Sequence, residues 1–209
     1  MKNVTLLLSI LLGSVLFILL IGWGFSRQLN KPLSRELVRG DSRNATGSAQ
    51  ARVVVVEFSD FQCPACFAVQ PLVKQALERY PNDVQLIFRH FPLTAIHSNS
   101  RAAAIASEVA ASLGKFWEYH DLLFSQQNLW SDLDSKQAKE KFIEYSTQVG
   151  VDKTQFAQAL ENKEIEQKVV NDIANGTVLG IPGTPSFYVN EEKVDAVELQ
   201  QKIADILAQ

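Results

Sequence analysis

The chain has 209 residues, 46% of them hydrophobic and 21% charged, with a formal net charge of −3 and two cysteines. That length holds one domain and an accessory segment, and the composition excludes a disordered or collagen-like chain. The near-neutral charge gives no sign of nucleic-acid binding, and two thiols cannot build a disulfide framework or a four-thiolate metal centre.

The charge is unevenly spread. Residues 1–50 carry six Lys/Arg against two Asp/Glu, and 51–209 are net acidic. Val4 to Phe25 is a run of 22 residues without a charge. As a helix rising about 1.5 Å per residue it would span roughly 33 Å, enough for a hydrocarbon core. Trp23 and Phe25 stand where an interfacial aromatic belt would lie. The run is longer than a signal-peptide core and ends in Gly22-Trp23-Gly24-Phe25, a poor cleavage site. Residues 1–26 therefore read as an uncleaved transmembrane anchor. By the positive-inside rule, Arg27, Lys31, Arg35, Arg39 and Arg43 outweigh Lys2 and the amino terminus, which would place the rest of the chain in the cytoplasm. Residues 27–50, rich in Gly, Ser, Asn and Arg, read as a flexible polar tether.

From residue 51 the pattern is that of one domain. Val53-Val54-Val55-Val56 is a β-branched run, as in a strand covered on both faces. Phe67 to Tyr80 has an apolar helical face, with Pro71 inside it as an expected kink. Val84 to Phe88 is a second strand, which makes a βαβ unit and predicts a parallel pair. Helical periodicities follow through Ala102–Leu113, Phe116–Phe124 and Ala138–Val149. Asp152 with Gln155 forms a capping-box pattern, and a further helix runs through Ile165 and Ile173. Ser186–Val189 and Lys193-Val194 predict a hairpin, and an amphipathic helix through Ile203 and Leu207 closes the chain.

The chemistry lies in Cys63-Pro64-Ala65-Cys66. Residues three apart at a helix start share a face at a separation that suits a disulfide. Cys63 would sit at the helix N-terminus, where free N–H groups and the dipole favour a thiolate. Cys66, one turn in, would be the shielded resolving thiol, and Pro64 fits the first helical turn. The competing reading is half of a metal site completed by His90, His97 or His120, but none has ligand spacing, and CxxC after a strand reads as redox. Glu57, six residues before Cys63, fits a strand-end carboxylate reaching water. Gly180-Ile181-Pro182-Gly183-Thr184-Pro185 reads by composition as an ordinary loop. His120 and the Phe116, Trp117 and Phe124 cluster read as packing.

Several separated motifs resemble the DsbA-like branch of the thioredoxin superfamily, with membrane-anchored BdbD-like proteins the nearest type. They are Val56 to Cys66, Phe88-Arg89-His90-Phe91-Pro92-Leu93, Gly114 to His120 and Gly183-Thr184-Pro185-Ser186-Phe187. The resemblance spans essentially all of 51–209. It implies an α/β thioredoxin fold, a central mixed sheet flanked by helices, with a helical subdomain inserted at about 95–178. It implies a cis Pro185 facing the cysteines and a Thr184 backbone that receives an extended substrate segment. It implies that Glu57 lies beneath the cysteines and moves protons for the buried thiol.

The implied activity is a dithiol oxidase acting on reduced exported client proteins. A quinone-linked membrane partner of the DsbB or VKOR type would reoxidise it, with no cofactor beyond the Cys63–Cys66 disulfide and no metal. The catalytic domain would lie on the extracytoplasmic side, against the arginine count. One departure bears on the chemistry: the strongest oxidants of the family carry His where this chain has Ala65, which predicts a higher Cys63 pKa and a less oxidising pair. A reductase or isomerase would use the same motif. A copper-binding module would favour methionines, and Met1 is the only one.

Overall fold

The structure is a computed structural model that describes residues 11–21 and 34–209. The chain divides into two units, Met1–Leu33 and Ser34–Gln209. In the first, residues 11–21 are helical (α1) with exposed side chains. The rest of the expected anchor lies outside the described residues, and among those described no helix is long and apolar enough to cross a membrane.

The second unit is built on β2 (Val53–Ser59), every residue of which is buried. Strand β3 (Val84–His90) pairs with it in parallel, Val53 opposite Val84 and Ser59 opposite His90. On its other side β4 (Ser186–Val189) runs antiparallel and continues into β5 (Glu192–Val194). The two-residue turn at Asn190 and Glu191 has φ of 46° and 68°, the positive values of the tight hairpin turn that matches strand twist. With β1 (Ala45–Gly47) antiparallel to β3, the sheet order is β1-β3-β2-β4-β5.

Strand alternation divides the valines of β2. Val53 and Val55 pack with Val73 and Ala76 of α3 (Pro64–Arg79) and with Leu199 and Ile203 of α10 (Leu199–Leu207). Val54, Val56 and Phe58 face the opposite layer, with Val38, Ile181 and Tyr188. The βαβ unit, the hairpin and the closing helix are where the sequence placed them. Helix α3 starts three residues earlier than its apolar face suggests, with Pro64 at its start, and it continues past Pro71 to Arg79 as one element.

Between β3 and β4 lies the helical block: α4 (Ser100–Ser112), α5 (Phe116–Ser125), α6 (Gln127–Trp130), α7 (Ser135–Gln148), α8 (Lys153–Ala159) and α9 (Lys163–Val178). Its core of Tyr119, Trp130, Phe142, Tyr145 and Phe156 is continuous with Phe61, Cys66 and Phe88 of the sheet layer. The buried aromatic polar tips are satisfied where they donate to backbone: Trp130 Nε1 to Leu123 O at 2.9 Å and Tyr119 Oη to Phe142 O at 2.7 Å. Asp152 caps α8 through the Gln155 N–H at 2.8 Å, but the reciprocal capping box is at Asp134 and Gln137, at the start of α7.

The tether expectation is corrected from Ser34 onward. Residues 34–50 belong to the domain: α2 (Arg35–Arg39) buries Val38, and β1 joins the sheet. The cause is a charged cluster whose members are far apart in sequence. Arg43 bonds Glu108 at 2.9 Å and Asp172 at 2.7 Å. Arg89 bonds the same Asp172 at 2.7 Å and the Val38 carbonyl at 3.0 Å. Asn44 and His90 bond the same Glu108 Oε1, at 2.6 and 2.9 Å, and Lys168 Nζ lies 3.9 Å from its Oε2. Against its burial, the His90 contact first and then those of Arg43 and Asn44 hold the Glu108 carboxyl down at about 2. Gly40, at φ +60°, lets the chain pass over the Arg89 guanidinium, since a Cβ there would lie 2.5 Å from Nη1.

Candidate active site

Strand β2 ends at Ser59, and four residues later Cys63 caps α3 in extended conformation, with Pro64 at the first helical position. This places Cys63 at the free N–H end of the helix and Cys66 one turn in. Both are free thiols; Cys66 is fully buried and Cys63 is 6% exposed. Pro64 and Ala65 are exposed above them. The two thiols are strongly unequal. The hydrogen bond from Cys66 does most to lower the Cys63 pKa, from 9.0 to about 5. Backbone N–H groups of Cys66 and Ala65 and the Thr184 side chain add to it. Burial pushes Cys66 far above its ordinary value, and donation to Cys63 and the charge of Glu57 add to that. Thus residue 65 acts through its backbone N–H, and the Cys63 pKa is lowered without a histidine at that position.

Thr184 approaches from the loop before β4. Its carbonyl lies 3.5 Å from Cys63 Sγ, and the Thr184–Pro185 peptide bond is cis. Glu57 is not a strand-end group. Two further residues continue β2, and Glu57 stands opposite Phe88 on one side and Phe187 on the other, fully buried. Its Oε1 accepts from Ser59 Oγ at 2.7 Å and Gln70 Nε2 at 3.1 Å, while Oε2 has no partner. Burial raises this carboxyl from 4.5 to about 7 against those two bonds.

A thioredoxin family profile matches residues 41–208. The chain belongs to the thioredoxin family. Among solved structures, this thioredoxin-family chain is similar to a thioredoxin-like oxidoreductase from Silicibacter pomeroyi. They share 26% identity at a TM-score of 0.69, over 84% of this chain and 99% of that one. It shares the fold of BdbD from Bacillus subtilis at 23% identity and a TM-score of 0.70, over 80% of this chain and 94% of that one. Among curated proteins it matches the Na(+)/H(+) antiporter NhaA 3 of Salinispora tropica, 33% identical over 150 residues. That is 72% of this chain but only 22% of the antiporter's length. In this thioredoxin-family chain a helical block is inserted between β3 and β4 of the fold.

The structure brings together Glu57, Cys63, Cys66, Thr184 and Pro185, and leaves the histidines out of the pair. His97 Nδ1 lies 2.7 Å from Asp60, His90 lies against Glu108, and His120 contacts Asp121 while packing among Phe61, Phe88 and Phe124. Several residues of the site were not singled out from sequence. Asp60 accepts from Gln62 N at 2.8 Å and Leu93 N at 2.8 Å, and its own N–H lies 3.5 Å from Cys66 Sγ. Its bond two residues on is an Asx turn, a pattern that Asp60-Phe61-Gln62 could have announced. Gln127 of α6 donates to the carbonyls of Phe61 and Cys63, at 2.7 and 3.1 Å, and pins the loop under the helical block. No local sequence signal marks Gln127, or Gln70 of α3.

Proposed function

We propose that the chain is a dithiol oxidase that introduces disulfides into exported proteins. The observation that carries this reading is the unequal placement of the thiols: Cys63 caps the free N–H end of α3 beside the Thr184 carbonyl, which lowers its pKa, while Cys66 is fully buried one turn in, which raises its own. Stabilising the thiolate stabilises the reduced pair, so the disulfide takes electrons readily. A client thiolate attacks Cys63 Sγ of the disulfide and forms a mixed disulfide. Cys66 leaves as a thiolate and takes the proton of the Glu57 carboxyl. The client's second thiolate then attacks the client sulfur, a client disulfide forms, and Cys63 leaves as a stable thiolate. The Thr184 carbonyl beside Cys63 offers a strand-like hydrogen bond to the client backbone. A quinone-linked membrane protein of the DsbB or VKOR type would return the electrons, with the Val4–Phe25 run as the anchor that keeps the domain on the extracytoplasmic face. Ion antiport is not carried over, because the chain spans about a fifth of those relatives' length.

Equilibration against glutathione tests the direction. The Cys63–Cys66 couple should lie at about −120 to −180 mV, the range of oxidases and protein disulfide isomerase. A value near −270 mV, as in thioredoxin, would make the chain a reductase.

A further inference from the structure

The proton exchanged between Glu57 and Cys66 needs a carboxylate held in one place, and in a fully buried strand residue little is available to hold it. The groups facing Glu57 are few: the Cys66 thiol and Gln70 from α3, the Ser59 hydroxyl from β2 itself, and Phe88 and Phe187 from the strands on either side. Cys66 is the one titratable group among them, and no basic side chain acts on the carboxyl. Two residues link the reacting pair: the Ser59 hydroxyl, which bonds Glu57 and acts on the Cys66 thiol, and Gln70, which ties Glu57 to the Cys66 backbone. Its Nε2 donates one hydrogen to Glu57 Oε1 at 3.1 Å and the other to the Cys66 carbonyl at 3.0 Å, so both amide protons are used. One carboxylate oxygen is thereby tied to the backbone of the resolving cysteine, and the other oxygen is left unpartnered. Gln70 is also half-exposed. It lines an open groove of about 720 Å³ between α3 and α5, flanked by Phe67, Pro71, Trp117 and Phe124, so it stands between Glu57 and the solvent side of the helix.

We propose that Gln70 is a positioning residue for thiol–disulfide exchange: its amide fixes the Glu57 carboxylate against Cys66 and keeps it ionisable there. The inference rests on Glu57 serving as the proton carrier in the reading above. In the resolving step, Glu57 carboxylate takes the Cys66 S–H proton. The Cys66 thiolate attacks Cys63 Sγ of a mixed disulfide, and the partner thiolate leaves. A neutral amide suits this place because it donates to the carboxylate without titrating itself.

The test uses full-length protein carrying glutathione on Cys63, with release of glutathione by Cys66 followed across pH. In the wild type the rate should rise with a midpoint near 7, where Glu57 ionises. Gln70→Met keeps the length of the side chain and removes both donors. It should move the midpoint up by about one pH unit and slow release at pH 7 by about fivefold. The Cys63 alkylation midpoint should stay in place. Gln70→Glu, of nearly native volume, puts a second carboxylate in hydrogen-bond range, and the shared proton should move the midpoint further up. An unmoved midpoint in either variant overturns the proposal, as does a purely structural loss that slows release equally at all pH. Glu57→Gln, run in parallel, separates the two readings. If it leaves release unchanged, Glu57 is not the proton carrier. If it slows release while the Gln70 variants do not, only the role of Gln70 falls.

Discussion

Cys63→Ser should reduce thiol–disulfide exchange to background, while Cys66→Ser should leave a reactive protein that stops half-way, covalently joined to its partner. The asymmetry follows from the two environments. Cys63 is the thiolate, poised at the helix end and beside the Thr184 carbonyl, so a hydroxyl in its place cannot form or accept the mixed disulfide. In Cys66→Ser the serine hydroxyl can still donate to Cys63, which keeps the nucleophile ionised, but no second sulfur remains to expel the partner. Incubation with a disulfide-bonded client or oxidised glutathione should then give a mixed disulfide visible by mass on non-reducing separation and absent after dithiothreitol. Turnover by Cys63→Ser at the wild-type rate would dismiss the mechanism outright.

The second large effect concerns stability against pH. Glu57 ionises at 4.5 in the unfolded chain and at about 7 in the fold. Because the folded value is raised, the protonated form is favoured in the fold. The penalty is absent below 4.5, grows between 4.5 and 7, and is complete above 7. It amounts to about 3 kcal/mol at full ionisation. Glu57→Gln keeps an acceptor for Ser59 and Gln70 and removes the charge. The reduced variant should therefore be more stable than wild type by about 3 kcal/mol at pH 8, a Tm gain of roughly 6–12 °C for a domain of this size. At pH 4 the gain should vanish. Thermal melts at the two pH values check this, and a gain of equal size at both would mean that the carboxyl is not ionising inside the fold. The same substitution should slow exchange at pH 7, so that stability and catalysis move in opposite directions at one residue.

Much of this arrangement was legible in the chain because its signals are local. A valine run, a proline after Cys63 and an apolar helical face place both thiols at one end of α3 without knowledge of the rest of the fold. The resemblance added the role of Pro185, which composition reads as an ordinary loop. What escaped depends on pairings made at long range. Glu57 looked like a strand end because Ser59 and Asp60 are polar; only the register that sets Phe88 and Phe187 on either side shows it buried. Gln70 is an ordinary helical residue until the sheet is placed beneath it. The segment around Arg43 has the composition of a linker, and its partners Glu108 and Asp172 lie 65 and 129 residues away.

That segment has a consequence for how the domain keeps to itself. A strand flank with free N–H and C=O groups is a template on which another chain can assemble. Strand β1 occupies the flank of β3, antiparallel and only three residues long, and Arg43 two residues before it locks it to α4 and α9. A form trimmed to begin at Ala51 would uncover that flank and leave Glu108 and Asp172 buried without Arg43, inviting self-association at the moment the fold loosens. The seventeen residues from Ser34 to Gln50 thus act as a built-in guard against strand-to-strand aggregation.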